Sequence, residues 1–174
     1  MALTVGQRAP AFALKTTGDR TVRLSEFLGK ALVLYFYPKD DTPGCTKEAC
    51  GFQGALAAFR QRRAEVLGVS CDDVRAHQRF AEKFHLTFPL LSDPDARASR
   101  AYGVYKQKSM YGRTYWGIER TTFLIDARGC IASIFPKVNV NGHPEAVLQA
   151  LDALPTGSAT ASRRPPAATT SRSR

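Results

Sequence analysis

The sequence predicts an α/β fold in which helices flank a central mixed sheet. Residues 31–37 (ALVLYFY) form a continuous apolar run of strand length, as expected for a central strand that is covered on both faces. Residues 46–63 then repeat apolar side chains at intervals of three and four, which predicts a helix. A second apolar run at 66–70 completes a strand–helix–strand unit, and such a unit indicates parallel strands joined by a crossover helix.

The remaining elements extend this unit on both sides. A short pair of strands, a β-hairpin, is expected before residue 31. Asp72 or Asp73 can serve as the N-cap of the next helix. Arg128 and Gly129 form the tight turn of a later hairpin. The expected elements after the first unit are a helix at 73–84, a strand at 86–91, a helix at 93–102, strands at 121–126 and 130–135, and a helix at 144–154.

The length of 174 residues and the composition predict one folded domain at 1–154 and a disordered tail at 155–174. The tail is rich in Pro, Ser, Thr and Ala and holds four arginines and no acidic residue. Without apolar periodicity it cannot recover the entropy lost on ordering. We interpret it as a solubilising tail, and the alternative is a weak electrostatic tether to an acidic partner.

The cysteines are not needed as structural disulfides and are therefore free to do chemistry. The first ten residues lack a basic segment followed by a long apolar run, and no stretch reaches the roughly 20 apolar residues that span a bilayer. These features predict a soluble, cytoplasmic protein without a membrane partner. Structural disulfides are rare in a reducing cytosol, and a chain of this size does not need them. Redox chemistry, metal binding and plain burial are therefore the roles open to the four cysteines, which are Cys45, Cys50, Cys71 and Cys130.

Cys45 is the candidate nucleophile. The loop PKDDTPGC delivers it to the start of the helix predicted at 46–63, where unpaired backbone N–H groups and the helix dipole favour a thiolate. Thr42 can bring its hydroxyl to the same sulfur or to a bound oxygen. Pro38 and Pro43 stiffen the loop. The alternative is that Cys45 is a small buried hydrophobe, but burial has least to gain beside polar loop residues.

Cys50 lies five residues further along the same predicted helix. In a regular helix this spacing separates the two Cα atoms by roughly 8 to 9 Å, whereas a disulfide needs less than about 7 Å. The helix must therefore unwind locally before the two sulfurs can join, and Gly51 makes this region a plausible place for it. The spacing predicts a folded thiolate form and an unwound disulfide form.

These residues carry a resemblance. Pro38, Thr42 and Cys45 match the Pro-x-x-x-Thr/Ser-x-x-Cys motif of the peroxiredoxins, and FYPKDDTPGCTKEACGFQ resembles the bacterioferritin comigratory protein or PrxQ subfamily. The similarity extends over residues 3–154. It includes LSD at 91–93, YGVY at 102–105 and GIERTTFLID at 117–126.

The resemblance implies a thioredoxin-like fold and a thiol-dependent peroxidase that reduces hydrogen peroxide and organic hydroperoxides. It implies that Cys45 is the peroxidatic cysteine and Cys50 the resolving cysteine. Thr42 and Arg120 would be partners in the peroxide pocket, with Pro38 shielding it from water. It also implies thioredoxin or glutaredoxin as reductant, and we expect a monomer. Without the motif, Arg120 would be assigned to a surface ion pair with Glu119 or Asp126.

The other candidate residues are assigned structural roles. Cys71 and Cys130 follow or open predicted strands without a local feature that stabilises an anion, although Cys71 remains an alternative resolving residue. His77, His85 and His143 do not approach metal-ligand spacing with the cysteines. We therefore predict no metal and no cofactor.

Two rival functions remain open. A thiol-disulfide oxidoreductase on the same fold would usually show C-x-x-C at the helix start, which this sequence lacks. The interleaved rings and cations at 105–120 could suggest a nucleic-acid-binding or chaperone module. In the family that the sequence resembles, this stretch is a loop and strand near the active site. There Tyr115 and Trp116 would form an apolar surface at the entrance of the active site, which would admit organic hydroperoxides.

Overall fold

Seven strands form one mixed sheet at the centre of the protein, as expected from the sequence. The computed structural model describes residues 2–155, so nearly all of the expected tail lies outside the described residues. The strands are β1 (Ala13–Lys15), β2 (Thr21–Arg23), β3 (Ala31–Phe36), β4 (Ala64–Ser70), β5 (Leu90–Ser92), β6 (Tyr105–Met110), β7 (Arg113–Ile118), β8 (Thr121–Ile125) and β9 (Ile131–Phe135). The helices are α1 (Pro43–Gln61), α2 (Val74–Phe84), α3 (Arg97–Ala101) and α4 (His143–Asp152).

The strand order in the large sheet is β2-β1-β5-β4-β3-β8-β9. Strands β3, β4 and β5 are parallel, and helices α1 and α2 make the two crossovers. The expected N-terminal strand pair is present as β1 and β2, which pair antiparallel. The expected hairpin is present as β8 and β9. None of the helices in residues 2–155 is both long and apolar enough to cross a membrane.

Strand β3 is covered on both faces, and its alternate side chains belong to two cores. Val33 and Tyr35 pack with residues of α1, α2 and α4 on one face of the sheet. Leu32 and Leu34 pack on the other face with α3, the N-terminal segment and the base of the β6–β7 pair. This two-sided burial explains why the sequence of β3 is continuously apolar rather than alternating.

The register between β3 and β8 determines where the functional residues meet. The two strands are antiparallel, and Phe36 at the end of β3 pairs with Thr121 at the start of β8. The loop that follows β3 therefore lies next to Arg120, which immediately precedes β8. Cys45 and Arg120, 75 residues apart in sequence, are brought together beyond the ends of these two interior strands.

Two predicted helices have different limits in the structure. Helix α1 begins at Pro43, three residues earlier than expected, because proline is readily accommodated at the first helical position. The helix expected at 93–102 is shorter, since Ala96 adopts a left-handed conformation. Asp93 instead accepts hydrogen bonds from the backbone N–H groups of Ala98 and Ser99, which fixes the start of α3.

The antiparallel pair β6–β7 differs from the loop and strand expected at 105–120. Its two-residue turn consists of Tyr111 and Gly112, both with positive φ. Tyr105 and Trp116 stack on one face of the pair, with ring centroids 5.8 Å apart. Tyr115 pairs with Lys108 and lies on the opposite face, because adjacent residues in a strand alternate sides.

Two of the three glycines in α1, Gly51 and Gly54, offer a test of its packing against α4. A Cβ added at Gly54 meets nothing within 4 Å, whereas one added at Gly51 lies 3.1 Å from Cγ of Pro144. We expect Gly54→Ala to raise the free energy of unfolding by up to about 1 kcal/mol through helix propensity. We expect Gly51→Ala to gain less or to destabilise, because Pro144 must move. Urea unfolding measures both changes, and an equal gain in the two variants would contradict this packing.

Candidate active site

Cys45 lies in the first turn of α1 and is buried, with 2% of its surface exposed. The expectation that burial has least to gain at this position is therefore wrong. The side chain belongs to the apolar core that α1 forms with the sheet. Burial of a thiolate requires a compensating partner, because removing an ion from water is costly.

Arg120 is that partner. Its Nη2 atom lies 3.3 Å from Sγ of Cys45 and donates a hydrogen bond to the sulfur. Its Nη1 atom donates at 2.8 Å to Oε1 of Glu48, one turn further along α1. Arg120 therefore does not pair with Glu119 or Asp126, the partners considered from sequence alone. Glu119 pairs with Lys106 instead, at 2.7 Å.

Glu48 is the residue of the site that the sequence analysis missed. It is buried, and its Oε2 atom has no hydrogen-bond partner within residues 2–155. Burial raises the pKa of Glu48 to about 7, and the opposing effect comes from Arg120. A signal was present in the sequence, because Glu48 falls three residues after Cys45 and four before Phe52, on the apolar stripe of the helix.

The Thr42 hydroxyl donates to the carbonyl oxygen of Lys39 at 2.9 Å, rather than to the sulfur of Cys45 as considered from sequence. Thr42 is the N-cap residue of α1, although its side chain makes no capping bond. Its oxygen keeps lone pairs with which to accept a further hydrogen bond. Pro38 is exposed in the loop between β3 and α1.

A buried network anchors this loop to the body of the protein. Asp40 accepts from the Tyr37 hydroxyl at 2.6 Å and lies 2.6 Å from Nδ1 of His77. The backbone N–H of Asp40 donates to Asp72. Asp40, Asp72 and His77 place potential metal ligands within 4.8 Å of one another. However, Nε2 of His77 bonds the Leu91 carbonyl and Nδ1 faces Asp40, so the ring serves to fix the loop.

The exposed β6–β7 pair reaches the edge of the site. Burial and then the positive charge of Arg120 lower the pKa of Lys108, while the charge of Cys45 opposes this shift. Lys108 therefore lies near enough to Arg120 for the two charges to interact. Tyr115 lies on the same face of the pair as Lys108, but Trp116 lies on the other, so the two rings do not form one wall as expected.

The other cysteines differ from Cys45 in their surroundings. All four are free thiols in this structure. Cys50 is exposed on α1 while Cys45 is buried, so the two side chains leave the helix on different faces. Burial and the nearby charge of Asp93 raise the pKa of Cys71 to about 11, which disfavours its thiolate at neutral pH. Cys130 is half-buried.

His143 is the first residue of α4 and lies near Arg120. Its Nε2 atom lies 2.8 Å from the Thr122 hydroxyl, and the ring packs edge-on against Phe52 and Phe135. Burial and the positive charge of Arg120 lower the pKa of His143 to about 4. The imidazole is therefore neutral at neutral pH.

This shift predicts a pH-dependent stability. Between about pH 6.5 and 4, His143 is protonated in the unfolded state but stays neutral in the native state. The free energy of unfolding therefore falls as the pH falls. We expect His143→Gln to remove on the order of 2 kcal/mol of this pH dependence. Urea unfolding at several pH values measures it. The exposed His85→Asn is the control, and an unchanged slope in His143→Gln would refute the assignment.

The fold and the site define a class of protein: a thioredoxin-like domain that presents a buried cysteine–arginine pair at a helix start. A model of the AhpC/TSA family matches residues 5–134. The chain belongs to this family of peroxiredoxins, which are thiol peroxidases, and within it to the bacterioferritin comigratory protein or PrxQ subfamily. The recognition made from the motif is thereby confirmed, as is the thioredoxin-like fold.

Individual relatives support this placement over nearly the whole domain. A bcp-type peroxiredoxin of Coxiella burnetii is 50% identical over 148 residues, which cover 85% of this chain and 98% of that protein. Peroxiredoxin Bcp of Bacillus subtilis is 45% identical, with coverage of 87% and 96%. A structure of the bacterioferritin comigratory protein of Xanthomonas campestris, studied for its alkyl peroxide reduction activity, matches with a TM-score of 0.82. It is 42% identical and covers 88% of this chain and 98% of its own.

Proposed function

We propose that this protein reduces hydroperoxides by attack of the Cys45 thiolate on the O–O bond, with Arg120 as the electrostatic partner. The main support is the contact of 3.3 Å between Nη2 of Arg120 and the buried sulfur of Cys45. A guanidinium is always protonated, so it stabilises both the resting thiolate and the negative charge that develops on the peroxide.

The first step converts the thiolate into a sulfenic acid. The Cys45 sulfur forms a bond to one peroxide oxygen while the O–O bond breaks, and alkoxide or hydroxide departs and takes up a proton. The Thr42 oxygen, at the start of the same helix, is suited to accept a hydrogen bond from the peroxide. Pro38 limits the access of water to this mouth of the site.

In the second step Cys50 acts as the resolving cysteine. Its thiol condenses with the Cys45 sulfenic acid, which forms a disulfide and releases water. The two residues stand five apart in α1 and differ in exposure, so the helix must open locally first. The segment to be released is held by a hydrogen bond from Lys47 to Asn141 and by the packing of Pro144 against Gly51.

The resemblance to the PrxQ subfamily and the similar proteins suggest the reductant, the oligomeric state, the location and further substrates. We propose that thioredoxin or glutaredoxin reduces the disulfide, that the protein acts as a monomer, and that it works in the cytoplasm. Alkyl hydroperoxides are proposed substrates besides hydrogen peroxide, since the Xanthomonas campestris relative was studied for alkyl peroxide reduction. Tyr115 lies beside Lys108, whose charge interacts with that of Arg120, and it offers an apolar contact for an alkyl group.

A Cys50→Ser variant tests the proposed cycle. We expect it to consume one equivalent of peroxide and then to stop, because the Cys45 sulfenic acid has no resolving thiol. Addition of a small thiol should restore turnover. Stopped-flow measurement of peroxide consumption, with Cys130→Ser as the control, distinguishes a stalled reaction from continuous turnover. Unimpaired cycling with a protein reductant would transfer the resolving role to Cys71 or to an external thiol.

A further inference from the structure

One guanidinium serves two acidic groups in this site. Nη2 of Arg120 contacts the Cys45 sulfur at 3.3 Å, and Nη1 contacts Oε1 of Glu48 at 2.8 Å. If both groups were ionised, the three side chains would carry a net negative charge in a buried place. The question of which group holds a proton arises only if Cys45 is the reacting thiolate, so this inference rests on the proposed function.

The surroundings of Glu48 do not compensate a second anion. The carboxyl group is inaccessible to solvent, and Oε2 has no hydrogen-bond partner within residues 2–155. Tyr35, from β3, is buried in the same core as Cys45, and its own hydroxyl has no hydrogen-bond partner in the described part of the chain. An unpaired carboxylate oxygen is far more costly to bury than the same oxygen in a neutral carboxyl group.

The other titratable groups near Arg120 make no hydrogen bond or ion pair with Cys45 or Glu48 in the part of the chain that the structure describes. His143, from α4, is held neutral because burial and Arg120 lower its pKa. Burial is the main cause that lowers the pKa of Lys108, from β6, and no hydrogen bond or ion pair joins Lys108 to Cys45 or Glu48 within residues 2–155. Among the cations of residues 2–155, Arg120 is the one that contacts both acidic groups.

We propose that Glu48 holds a proton while Cys45 is a thiolate, and that it releases this proton when peroxide oxidises the sulfur. Arg120 then keeps one anionic partner throughout the reaction. Before the reaction the partner is the sulfur of Cys45, and afterwards it is the carboxylate of Glu48. The contact of each group with a different nitrogen of the same guanidinium lets the ion pair move without movement of the arginine.

Protons and electrons are both accounted for in this step. The Cys45 thiolate gains an S–O bond, the O–O bond breaks, and the departing alkoxide or hydroxide takes up one proton to become alcohol or water. The sulfur is oxidised and the peroxide is reduced by two electrons. The proton comes from Glu48, directly or through water, so no net proton is drawn from the solution. The raised pKa of Glu48, about 7, allows the carboxyl group to keep this proton close to neutral pH.

Proton counting tests the proposal. A Cys50→Ser parent stops at the sulfenic acid, so one equivalent of hydrogen peroxide in weakly buffered solution gives one oxidation per chain. A pH indicator reports protons taken up, and the ultraviolet absorbance of the thiolate reports how much Cys45 was ionised. The parent is compared with a double variant that carries Glu48→Gln as well as Cys50→Ser. The control is a second double variant that carries Cys50→Ser and Glu82→Gln, a change on the exposed face of α2.

In the Glu48→Gln variant we expect one proton to be taken up for each thiolate oxidised at every pH. In the parent and in the Glu82→Gln control the ratio should fall below one near pH 7 and approach zero toward lower pH. A merely structural role of Glu48 would change rates without changing this ratio. A ratio of one in all three proteins would overturn the proposal.

A second measurement needs no substitution at Glu48. The infrared difference spectrum of the parent, oxidised minus reduced, should lose the C=O stretch of a protonated carboxylic acid and gain a carboxylate band. A spectrum without this loss would also refute the proposal. Failure of the proposed function would give a different result, because peroxide would then leave the Cys45 thiol unoxidised in every variant.

Discussion

Cys45→Ser is expected to abolish thiol-dependent peroxide consumption, leaving only the rate of the uncatalysed reaction with the reductant. A serine hydroxyl at this position is almost entirely protonated at neutral pH, and its oxygen cannot be oxidised as a sulfur can. Arg120 would then face a neutral group. The measurement is peroxide consumption with a small dithiol as reductant, which does not depend on the identity of the protein partner.

The matched control for this variant is Cys130→Ser, which changes a half-buried thiol remote in sequence from the site. We expect the control to retain activity within about twofold of wild type. Substantial peroxide turnover by Cys45→Ser would remove the proposed mechanism. Loss of activity in the control alone would point to a reacting sulfur at Cys130 instead.

Arg120→Lys is expected to lower kcat/KM for hydroperoxides by roughly 10²- to 10³-fold, the loss typical for removal of one charge-stabilising donor. Lysine keeps the positive charge but lacks the planar guanidinium group, whose two terminal nitrogens donate to two different partners. A single ammonium therefore cannot hold the Cys45 sulfur and Glu48 in the geometry seen here, with contacts of 3.3 and 2.8 Å. Steady-state kinetics with hydrogen peroxide and an alkyl hydroperoxide measures the effect.

Arg113→Lys provides the control, because Arg113 is an exposed arginine on the neighbouring β6–β7 pair. We expect it to leave kcat/KM unchanged within about twofold. If Arg120→Lys were equally active, the charge alone would suffice, and the role proposed for the two guanidinium nitrogens would be wrong.

Much of the fold was predictable because its signals are local. The apolar run of β3 and the apolar stripe of α1 both reflect burial of consecutive or periodic residues. The β6–β7 pair was not predicted, since its strands are largely exposed and therefore lack a burial pattern. Its turn also places Tyr111 at positive φ, and a tyrosine in the sequence does not predict this conformation because non-glycine residues rarely adopt it.

The site was predictable only as far as its motif extends. Pro38, Thr42 and Cys45 are close in sequence, and the resemblance added Arg120. Glu48 was missed because a glutamate in a helix is usually exposed, and its burial depends on an arginine 72 residues away. The burial of Cys45 was likewise hidden, because it depends on the sheet and on Arg120 rather than on the polar loop before it.

Peptide mapping after one equivalent of peroxide identifies which cysteines react and which two sulfurs join. The reduced protein is treated, its remaining thiols are blocked, and the joined or oxidised cysteines are identified by mass. We expect a single disulfide between Cys45 and Cys50, with Cys71 and Cys130 recovered as blocked thiols. Recovery of Cys45 as an unreacted thiol, with oxidation at another cysteine, would show that Cys45 is not the peroxidatic residue.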